Sequence, residues 1–394
     1  MKTQGVSIFA IITILVVSTL ILAVPIEAQS DRTVAIWPTL EWATLSPGTQ
    51  GMNSTALEEV YDNVRNSGVG IRSLLVVRHG YLVAEEYFTP QLYDVNDTHI
   101  LFSVTKSFVS CLIGIAIDMG FIHNTSQLLL DFFPNRTIAN LDAWKEAITL
   151  EDVLMMRSGF QWDEDNYVEY NDFFAMRDSD DWAQYVLDRP MAHEPGSTFY
   201  YNSGNSHLLA TIINVTTGRT PLDFADQYLF SRIGIGERFW TTDPLGINVG
   251  GSNLALTPQS MAKLGLLYLN NGTWNDQQIV SSEWVHSSNH GPTTPYSQIS
   301  YGYQWWIDDD NGWYSARGYN GQFIYVIEEH DIVVVFTSDT GEYYPYDATV
   351  SDIVATVTNV YPEPVPFLMA PIEVLILVGV VVIAAVAVVG RLKR

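Results

Sequence analysis

Cysteine and lysine are the residue types that this sequence contains least of. Cys111 is the only cysteine among 394 residues, so an internal disulfide is excluded and the thiol is expected to pack in the core. The net charge is −25, which argues against a nucleic-acid partner because its phosphates would be repelled. Lysine occurs at five positions, namely Lys2, Lys106, Lys145, Lys263 and Lys393.

Signatures of several enzyme classes are also missing. The pattern Gly-x-Ser-x-Gly does not occur, which removes the nucleophile elbow of the α/β-hydrolase fold. His286 and His290 could meet on one helix face, yet no third metal ligand lies near them in the sequence. The acidic run 308–312 lacks the final glutamate of a calcium loop, so a solvated hairpin turn is predicted there. Neither segment is therefore expected to hold a metal ion.

One lysine lies in an unusual setting. Ser103 and Lys106 form the pattern Ser-x-x-Lys, which places both side chains one helical turn apart on the same face. Apolar residues at 100–102 and 109–117 flank this lysine, so its helix is predicted to be central in the domain. Because a buried amine is costly without a role, the pattern predicts a covalent serine hydrolase with Ser103 as nucleophile and Lys106 as candidate base.

The same pattern occurs a second time, at Ser260 and Lys263. Thr257 is a good N-cap and Pro258 a good first helical residue, so this serine falls in the first turn of an ordinary helix. Since apolar residues mark another side of that helix, its serine and lysine are expected on the polar, solvated side. We interpret this second copy as a chance match.

Other segments offer further parts of a serine hydrolase site. Tyr201 follows a turn in a tyrosine-rich stretch and could pass a proton to a leaving group, with aromatic packing as the alternative. The turn 317–322 contains glycines that would let backbone approach a substrate closely, unless it is only a tight turn. Asp163, Glu164 and Asp165 either line the mouth of a cleft or form a solvated loop.

Both ends of the chain carry membrane signals. An apolar run follows Lys2, and residues 374–389 are uncharged, strongly apolar and about long enough with their flanks to span a bilayer. The positive-inside rule places the basic residues after that span in the cytoplasm, so the region between the two signals is expected to be extracytoplasmic, at the cell membrane. The predicted organisation is a signal peptide or N-terminal anchor at 1–28, a hydrolase domain at 32–360, a linker at 361–370, a transmembrane helix at 371–390 and a basic cytoplasmic tail at 391–394.

Strand signals lie near the two ends of the predicted domain, with helical signals between them. Residues 73–88 are predicted to form a hairpin that turns at 79–80, and residues 322–338 a second one. A closing helix is predicted at 347–360, whereas 102–248 is mostly helical in pattern. We expect an α/β (α+β) domain in which one sheet, built from both ends, lies beside a mostly helical subdomain.

Several short motifs follow one another in a familiar order. They are 102–107 around Ser103, 148–154 leading to Ser158 and Gly159, Pro195-Gly196 with Tyr201, the block 250–267, the aromatic segment 301–306, and 318–322. In this order they resemble the serine β-lactamase and penicillin-binding-protein superfamily, in its branch of class C-like esterases and amide hydrolases. The resemblance covers nearly the whole of 32–360 and implies a β-lactamase/transpeptidase-like fold with an antiparallel sheet flanked by helices.

The resemblance also implies roles for individual residues. Ser103 attacks the carbonyl, Lys106 removes its proton and Tyr201 passes a proton to the leaving group, after which water releases the acyl-enzyme. Backbone N–H groups of Ser103 and Gln322 are expected to form the oxyanion hole. The substrate or oxyanion positions are Ser203, Tyr319, Asn320, Gly321 and Gln322. The resemblance implies no metal or organic cofactor.

Two departures from the family pattern bear on the substrate. The second motif is usually Tyr-x-Asn, but here Ser203 occupies its third position. The spacing from Pro195-Gly196 favours Tyr201 as the tyrosine of this motif, and Tyr200 is the alternative. Ser203 is then a contact of the substrate or of Lys106. The third motif lacks a cation to hold a substrate carboxylate, unless Arg317 reaches in. Esters, or small amides such as those of the 6-aminohexanoate-dimer-hydrolase branch, are therefore favoured.

Two alternatives stay open. The first is a penicillin-binding-type D-Ala-D-Ala carboxypeptidase or β-lactamase, and the second is a catalytically inactive surface binding module of the same fold. The expected partners are a small ester or amide/peptide substrate and, through the C-terminal helix, the membrane, with no nucleic acid.

Overall fold

The computed structural model describes residues 37–89, 91–164, 169–291, 293–296, 299–340 and 344–360. The predicted signal peptide or anchor at 1–28, and the predicted linker, membrane helix and tail at 361–394, lie outside these residues. Among the helices that the structure describes, none is both long and apolar enough to cross a membrane. The limits of the predicted domain stay predictions.

The central element is an antiparallel sheet. The described strands are β1 (Ile71–Arg78), β2 (Tyr81–Tyr87), β3 (His99–Ile100), β4 (Arg238–Trp240), β5 (Leu254–Leu256), β6 (Thr273–Trp274), β7 (Gln277–Gln278), β8 (Thr293–Tyr296), β9 (Ile299–Tyr301), β10 (Trp306–Asp308), β11 (Trp313–Gly318), β12 (Gln322–Ile327) and β13 (Ile332–Ser338). Within the described chain, eight of them form one sheet in the order β2-β1-β13-β12-β11-β10-β9-β8. The first two and the last strands of the chain are therefore neighbours, which confirms a sheet built from both ends.

Most of the described helices lie in the segment between β2 and β11. The α-helices of the described residues are α1 (Ser54–Asn66), α2 (Thr105–Asp118), α3 (Ala143–Ala147), α4 (Leu150–Leu154), α5 (Asp172–Arg177), α6 (Trp182–Leu187), α7 (Ser203–Thr217), α8 (Pro221–Ala225), α9 (Ser231–Ile233), α10 (Pro258–Leu269), α11 (Ser282–Asn289) and α12 (Tyr346–Ala355). Short 3₁₀-helices lie at Pro47–Gln50, Phe102–Val104, Leu129–Phe132 and Glu328–His330, and a π-helical turn at Asp226–Phe230. The predicted fold class is confirmed.

The sheet separates two hydrophobic cores. Along β13, Val333 and Val335 belong to the larger core with the helical region, while Val334 and Phe336 belong to a smaller core with α1 and α12. This alternation follows from the two-residue period of a strand, which sends successive side chains to opposite faces. Because β13 is covered on both faces, its sequence is continuously apolar instead of alternating.

Both predicted hairpins are confirmed. The β1–β2 turn consists of His79 and Gly80, which have φ angles of 52° and 80°. Two residues at positive φ form the tight turn whose twist matches a two-residue hairpin, and glycine adopts it without steric cost. The β12–β13 hairpin turns through the 3₁₀-helix Glu328–His330. The closing helix α12 is shorter than predicted, since it ends at Ala355.

Two smaller predictions are also confirmed. Cys111 is buried inside α2, and burial raises the pKa of its thiol. The acidic run after β10 forms the turn to β11, in which the Asn311 N–H donates to Asp308 Oδ1 at 3.1 Å. This turn is typical of an Asp side chain that satisfies nearby backbone.

The expectation for α10 is partly wrong. Thr257 does cap the helix, since its hydroxyl accepts from the Ser260 N–H at 3.2 Å. However, Ser260 and Lys263 are each only 5% exposed, so neither lies on a solvated face. The amine of Lys263 donates to the carbonyl of Gly234. Helix α10 is covered by that loop as well as by the sheet, an arrangement that the apolar periodicity of one helix does not reveal.

Candidate active site

Ser103 lies in the 3₁₀-helix that leads into α2, after a residue with unusual backbone geometry. Phe102 has φ 47°, a left-handed conformation that is uncommon for a bulky residue. The Leu101 N–H donates to the carbonyl of Leu254 at 2.8 Å, which ties this corner to β5. Such strain is typical of functional sites, where the surrounding structure holds a residue in place. The corner positions Ser103 at the start of the buried helix α2.

Lys106 is buried within reach of Ser103. Its side chain is 1% exposed, and Nζ donates to Ser103 Oγ at 3.0 Å, to Ser203 Oγ at 3.0 Å and to the Gly251 carbonyl at 2.8 Å. Burial lowers the pKa of Lys106 to about 8, and the nearby carboxylate of Glu164 limits this decrease. The amine is thus about one-tenth neutral at pH 7, enough to accept a proton.

Two adjacent glycines bring the third partner of Lys106 into place. A Cβ at Gly250 would lie 2.0 Å from the carbonyl oxygen of Ser206, and one at Gly251 would lie 3.1 Å from the Cβ of Ser203. Only residues without a side chain let this loop pack so closely against α7. The close approach delivers the Gly251 carbonyl to the lysine.

Tyr201 faces the serine and the lysine, whereas Tyr200 does not. The Lys106 amine lies 4.8 Å from the centre of the Tyr201 ring, and the Ser103 side chain is near enough to the Tyr201 phenol to lower the pKa of that phenol. Burial, with a contribution from Glu164, raises the pKa of Tyr201, so its phenol is neutral at ordinary pH. Tyr200 packs against the large core, and its N–H donates to the Met156 carbonyl at 2.8 Å.

Ser203 connects Lys106 to a buried carboxylate. Ser203 is the first residue of α7, and its hydroxyl donates to Glu164 Oε1 at 2.5 Å. Glu164 Oε2 accepts from the Ser203 N–H at 2.7 Å and from Trp162 Nε1 at 2.9 Å. The interpretation of Ser203 as a Lys106 contact therefore has a geometric basis, and Glu164 joins the site behind it.

The structure separates the members of the acidic run. Glu164 is 5% exposed while Asp163 is exposed, and Asp165 lies outside the described residues. Residues 161–164 alternate between exposed and buried, as in an extended segment, which puts Glu164 on the same side as Trp162. That alternation is the sequence signal that would have identified Glu164, but it spans only four residues.

The turn between β11 and β12 passes beside Ser103. A Cβ at Gly318 would lie 2.4 Å from the Leu101 carbonyl oxygen and 3.4 Å from the Ser103 nitrogen, so a glycine is needed for this approach. Gln322 pairs with Gly318 across the two strands, and its Nε2 donates to the Ser338 carbonyl at 2.6 Å. Gly318 therefore lies beside the Ser103 N–H, and the contribution of Gln322 to an oxyanion hole stays a prediction.

The other residues of this turn occupy different surroundings. Tyr319 is 57% exposed, and its ring contacts Phe102 edge-on with a centroid distance of 5.5 Å. Asn320 Nδ2 donates to Asp339 Oδ1 at 3.2 Å. A Cβ at Gly321 would lie 1.9 Å from the Tyr346 hydroxyl, which locates Gly321 against α12. Tyr319 is therefore the member of this set that a substrate could contact by its side chain.

Arg317 does not reach the serine. It lies on the face of the sheet that carries α12, where Nη2 is 3.3 Å from Asp347 Oδ1 and Nε donates to Ser315 Oγ at 2.8 Å. Successive residues of a strand point to opposite faces, so Arg317 and Gly318 cannot both face Ser103. Among the side chains described here, Lys106 is the cation brought next to Ser103.

Aromatic rings form one wall beside Tyr201. Trp306 stacks on Tyr201 with a centroid distance of 5.8 Å and an interplanar angle of 22°. Phe199 and Tyr301 contact the same tryptophan at 6.1 and 4.8 Å. Such a wall suits the apolar part of a small substrate.

Metal-binding groups are not brought together in the described residues. His286 and His290 stack with a centroid distance of 3.9 Å. Within the described ranges, no group of three or more histidine, cysteine or acidic residues is placed to hold a metal ion.

Comparison with known proteins agrees with this geometry. A family model described as Beta-lactamase matches residues 66–356, a span that includes every site residue named above. The 6-aminohexanoate-dimer hydrolase of Paenarthrobacter ureafaciens is 26% identical over 288 residues, which cover 67% of this chain and 71% of that enzyme.

Solved structures share the fold. A Bacillus anthracis protein provisionally described as a 6-aminohexanoate-dimer hydrolase superimposes with a TM-score of 0.66 at 23% identity, covering 80% of this chain and 86% of its own. A family VIII carboxylesterase superimposes with a TM-score of 0.60 at 12% identity, covering 80% of this chain and 98% of its own. The penicillin-binding protein homologue of Pyrococcus abyssi does so with a TM-score of 0.61 at 19% identity, covering 77% of each chain.

Proposed function

Because the chain belongs to the Beta-lactamase family of serine hydrolases, we propose that it hydrolyses esters or small amides through an acyl-enzyme on Ser103. The observation that carries this proposal is the distance of 3.0 Å between Lys106 Nζ and Ser103 Oγ. It places a buried amine, with its pKa lowered to about 8, within hydrogen-bond reach of the hydroxyl that it would deprotonate.

The proposed reaction has two stages. Neutral Lys106 takes the proton of Ser103 while Oγ attacks the substrate carbonyl, and the Ser103 N–H, with an N–H of the turn 318–322, stabilises the oxyanion. The neutral phenol of Tyr201 donates a proton to the departing alkoxide or amine and regains one from Lys106. A water molecule then attacks the acyl-enzyme, and the same groups return the proton to Ser103 as the acid leaves.

The substrate class follows from what faces the nucleophile. Arg317 is paired with Asp347 on the other face of the sheet, so it does not offer a charge to a substrate carboxylate. β-Lactams and D-Ala-D-Ala peptides carry such a carboxylate, whereas simple esters do not need a cation. The name of one relative, a carboxylesterase, supports the same choice.

We also propose that this hydrolase acts outside the cytoplasm while attached to the cell membrane. The support is sequence alone: the apolar residues 374–389 and the basic tail 391–394. Fractionation of cells that express the full chain, with protease added from outside, tests this. Loss of residues 37–360 to external protease, with the tail protected, is expected; full protection would overturn the proposal.

Hydrolysis of p-nitrophenyl butyrate by the purified full chain tests the activity, with Ser103→Ala as the matched variant and nitrocefin in parallel. We expect ester turnover that falls by at least about 1,000-fold in the variant, since no other group replaces the nucleophile. Nitrocefin turnover would favour the β-lactamase alternative. Equal rates for both proteins, without labelling of Ser103 by a fluorophosphonate probe, would instead favour the inactive binding module.

A further inference from the structure

Glu164 is the buried carboxylate next to the proposed site, and its hydrogen bonds connect it to the general base in two steps. Both of its oxygens accept from donors: Oε1 from the Ser203 hydroxyl at 2.5 Å, and Oε2 from the Ser203 N–H at 2.7 Å and from Trp162 Nε1 at 2.9 Å. A carboxylate accepts hydrogen bonds without donating any, so these three donors match its oxygens.

The single proton of the Ser203 hydroxyl is committed to Glu164. Towards Lys106, whose Nζ lies 3.0 Å away, Ser203 Oγ can then only accept. The carbonyl of Gly251, 2.8 Å from the same amine, also only accepts. When Lys106 loses its charge, its two remaining N–H groups are directed to these two acceptors. The lone pair is left pointing at Ser103.

We propose that Glu164, acting through Ser203, makes Lys106 the base of Ser103 by fixing the direction in which neutral Lys106 presents its lone pair. The inference rests on the proposed function and adds to it a positioning residue that does not touch the reacting atoms. In the step itself, the Ser103 O–H bond breaks and a bond from that proton to Lys106 Nζ forms. No other reactant is needed.

The charge of Glu164 has a second, measurable effect on the same lysine. The groups that face Lys106 are Ser103 of its own helix, the Tyr201 ring at 4.8 Å, Ser203 of α7, the Gly251 carbonyl and, behind Ser203, Glu164. Further along α7, His207 and Asp243 lie 3.1 Å apart, and the Gly250 N–H donates to His207 Nδ1 at 3.4 Å. Since Tyr201 is neutral, Glu164 is the anion close to Lys106 among the described residues, and it favours the charged form of Lys106.

Direct titration of Lys106 provides a test that does not depend on turnover. The full chain contains only five lysines, so ¹³Cε-labelled lysine gives few NMR signals, and Lys106→Arg assigns the one of interest. Glu164→Gln should lower the midpoint of that signal, because the stabilising anion is removed. Asp163→Asn, the same charge change at the exposed neighbouring residue, should leave it unchanged. A midpoint that stays or rises in Glu164→Gln would overturn the proposal.

Kinetic measurements test the proposed direction of the Lys106 lone pair. Glutamine has one acceptor oxygen for three donors, so Ser203 must turn its proton away and compete with Ser103 for the lone pair. We expect kcat/KM for p-nitrophenyl butyrate to fall about 10- to 100-fold in Glu164→Gln and in Ser203→Ala, with a double variant no worse than the poorer single one. Ser203→Thr, which keeps the hydroxyl, should restore most of the activity.

The outcomes separate the two proposals. A wild-type chain that hydrolyses no ester would contradict the proposed function. The titration would still test whether Glu164 raises the pKa of Lys106. An active wild type in which Glu164→Gln retains more than half of kcat/KM would overturn the positioning role alone. Thermal unfolding of each variant shows whether a lower kcat/KM reflects a smaller fraction of folded protein. Such a folding defect would reduce the amplitude of the pH profile without moving its midpoint.

Discussion

The two Ser-x-x-Lys segments of this chain, Ser103 with Lys106 and Ser260 with Lys263, share more than their spacing. Both lysines are buried, with exposures of 1% and 5%, and burial lowers the pKa of each to about 8. Their hydrogen bonds differ at the serine of the motif, although each amine donates to a backbone carbonyl. The Lys106 amine donates to the serine of its own motif, whereas the Lys263 amine donates to a backbone carbonyl, that of Gly234.

The position of the serine relative to its helix explains the difference. Ser103 precedes α2 at a corner strained by Phe102, so its hydroxyl is held against Lys106 and Tyr201. Ser260 is the third residue of α10, and its hydroxyl accepts from Thr257 Oγ1 at 3.0 Å. A buried lysine with a lowered pKa is thus not by itself a catalytic group. It also needs a neighbouring group that it can deprotonate.

Replacing each lysine is the strongest way to break the comparison. Lys106→Met should lower kcat/KM for an ester by about 100- to 10,000-fold, since it removes the general base. Lys263→Met should change kcat/KM by less than about threefold, because that amine contacts only backbone. Initial rates, corrected for the fraction of folded protein in each sample, provide the measurement. A comparable loss in both variants would show that the two sites are equivalent after all.

The two adjacent tyrosines sharpen the comparison further, because only the Ser103 motif has a phenol beside it. Tyr201→Phe should lower kcat about 100-fold by removing the proton donor to the leaving group. Tyr200→Phe should have an effect below threefold, as its ring packs in the core. Substrates with poorer leaving groups should suffer more in Tyr201→Phe. If Tyr200→Phe were the more damaging variant, the assignment by spacing would be reversed.

The pH dependence distinguishes the lysines in solution. A base acts only when neutral, so kcat/KM should rise about tenfold per pH unit up to a midpoint near 8, the pKa of Lys106. Lys263→Met should keep that midpoint. The free energy of unfolding does not make this distinction. Each lysine has a pKa of 10.5 in the unfolded state and about 8 in the folded state, so the unfolded state binds more protons between these two values. For both lysines the free energy of unfolding therefore rises from pH 8 towards 10.5. A midpoint that moves in Lys263→Met would contradict the assignment.

The smallest effect is expected at the second serine. Ser260→Ala removes one hydrogen bond in the first turn of α10, which should lower the free energy of unfolding by about 1 kcal/mol or less. Its kcat/KM should match that of the wild type. Urea unfolding followed by tryptophan fluorescence measures the stability, with Thr257→Ala as the comparison, since loss of a helix cap costs about 0.5–2 kcal/mol.

Much of the fold could be predicted from the sequence, because the signals are local. Alternating and continuous apolar runs indicated both hairpins, and the turn at His79 and Gly80 needs positive φ angles that these residues tolerate. Thr257 and Pro258 marked the start of α10, and the apolar surroundings of Lys106 indicated a buried helix. In each case the residues that determine the structure lie within a few positions of one another.

The candidate site was predictable only in part, for the same reason. The one-turn spacing of Ser103 and Lys106 is a property of the chain itself, but the third partner of the lysine is Gly251, 145 residues further along. Glu164 reaches it through Ser203, 39 residues from the carboxylate. No local pattern encodes such a contact.

The sequence by itself therefore indicated the pair of Ser103 and Lys106 and the type of fold, since these follow from helix and strand periodicity and from motifs in order. Only the tertiary structure decided that Lys263 is buried against Gly234, that Arg317 faces α12, and that Glu164 stands behind Ser203. The physical reason is that burial and charge pairing depend on which distant surfaces the packed core brings together, whereas the period of a helix or strand does not.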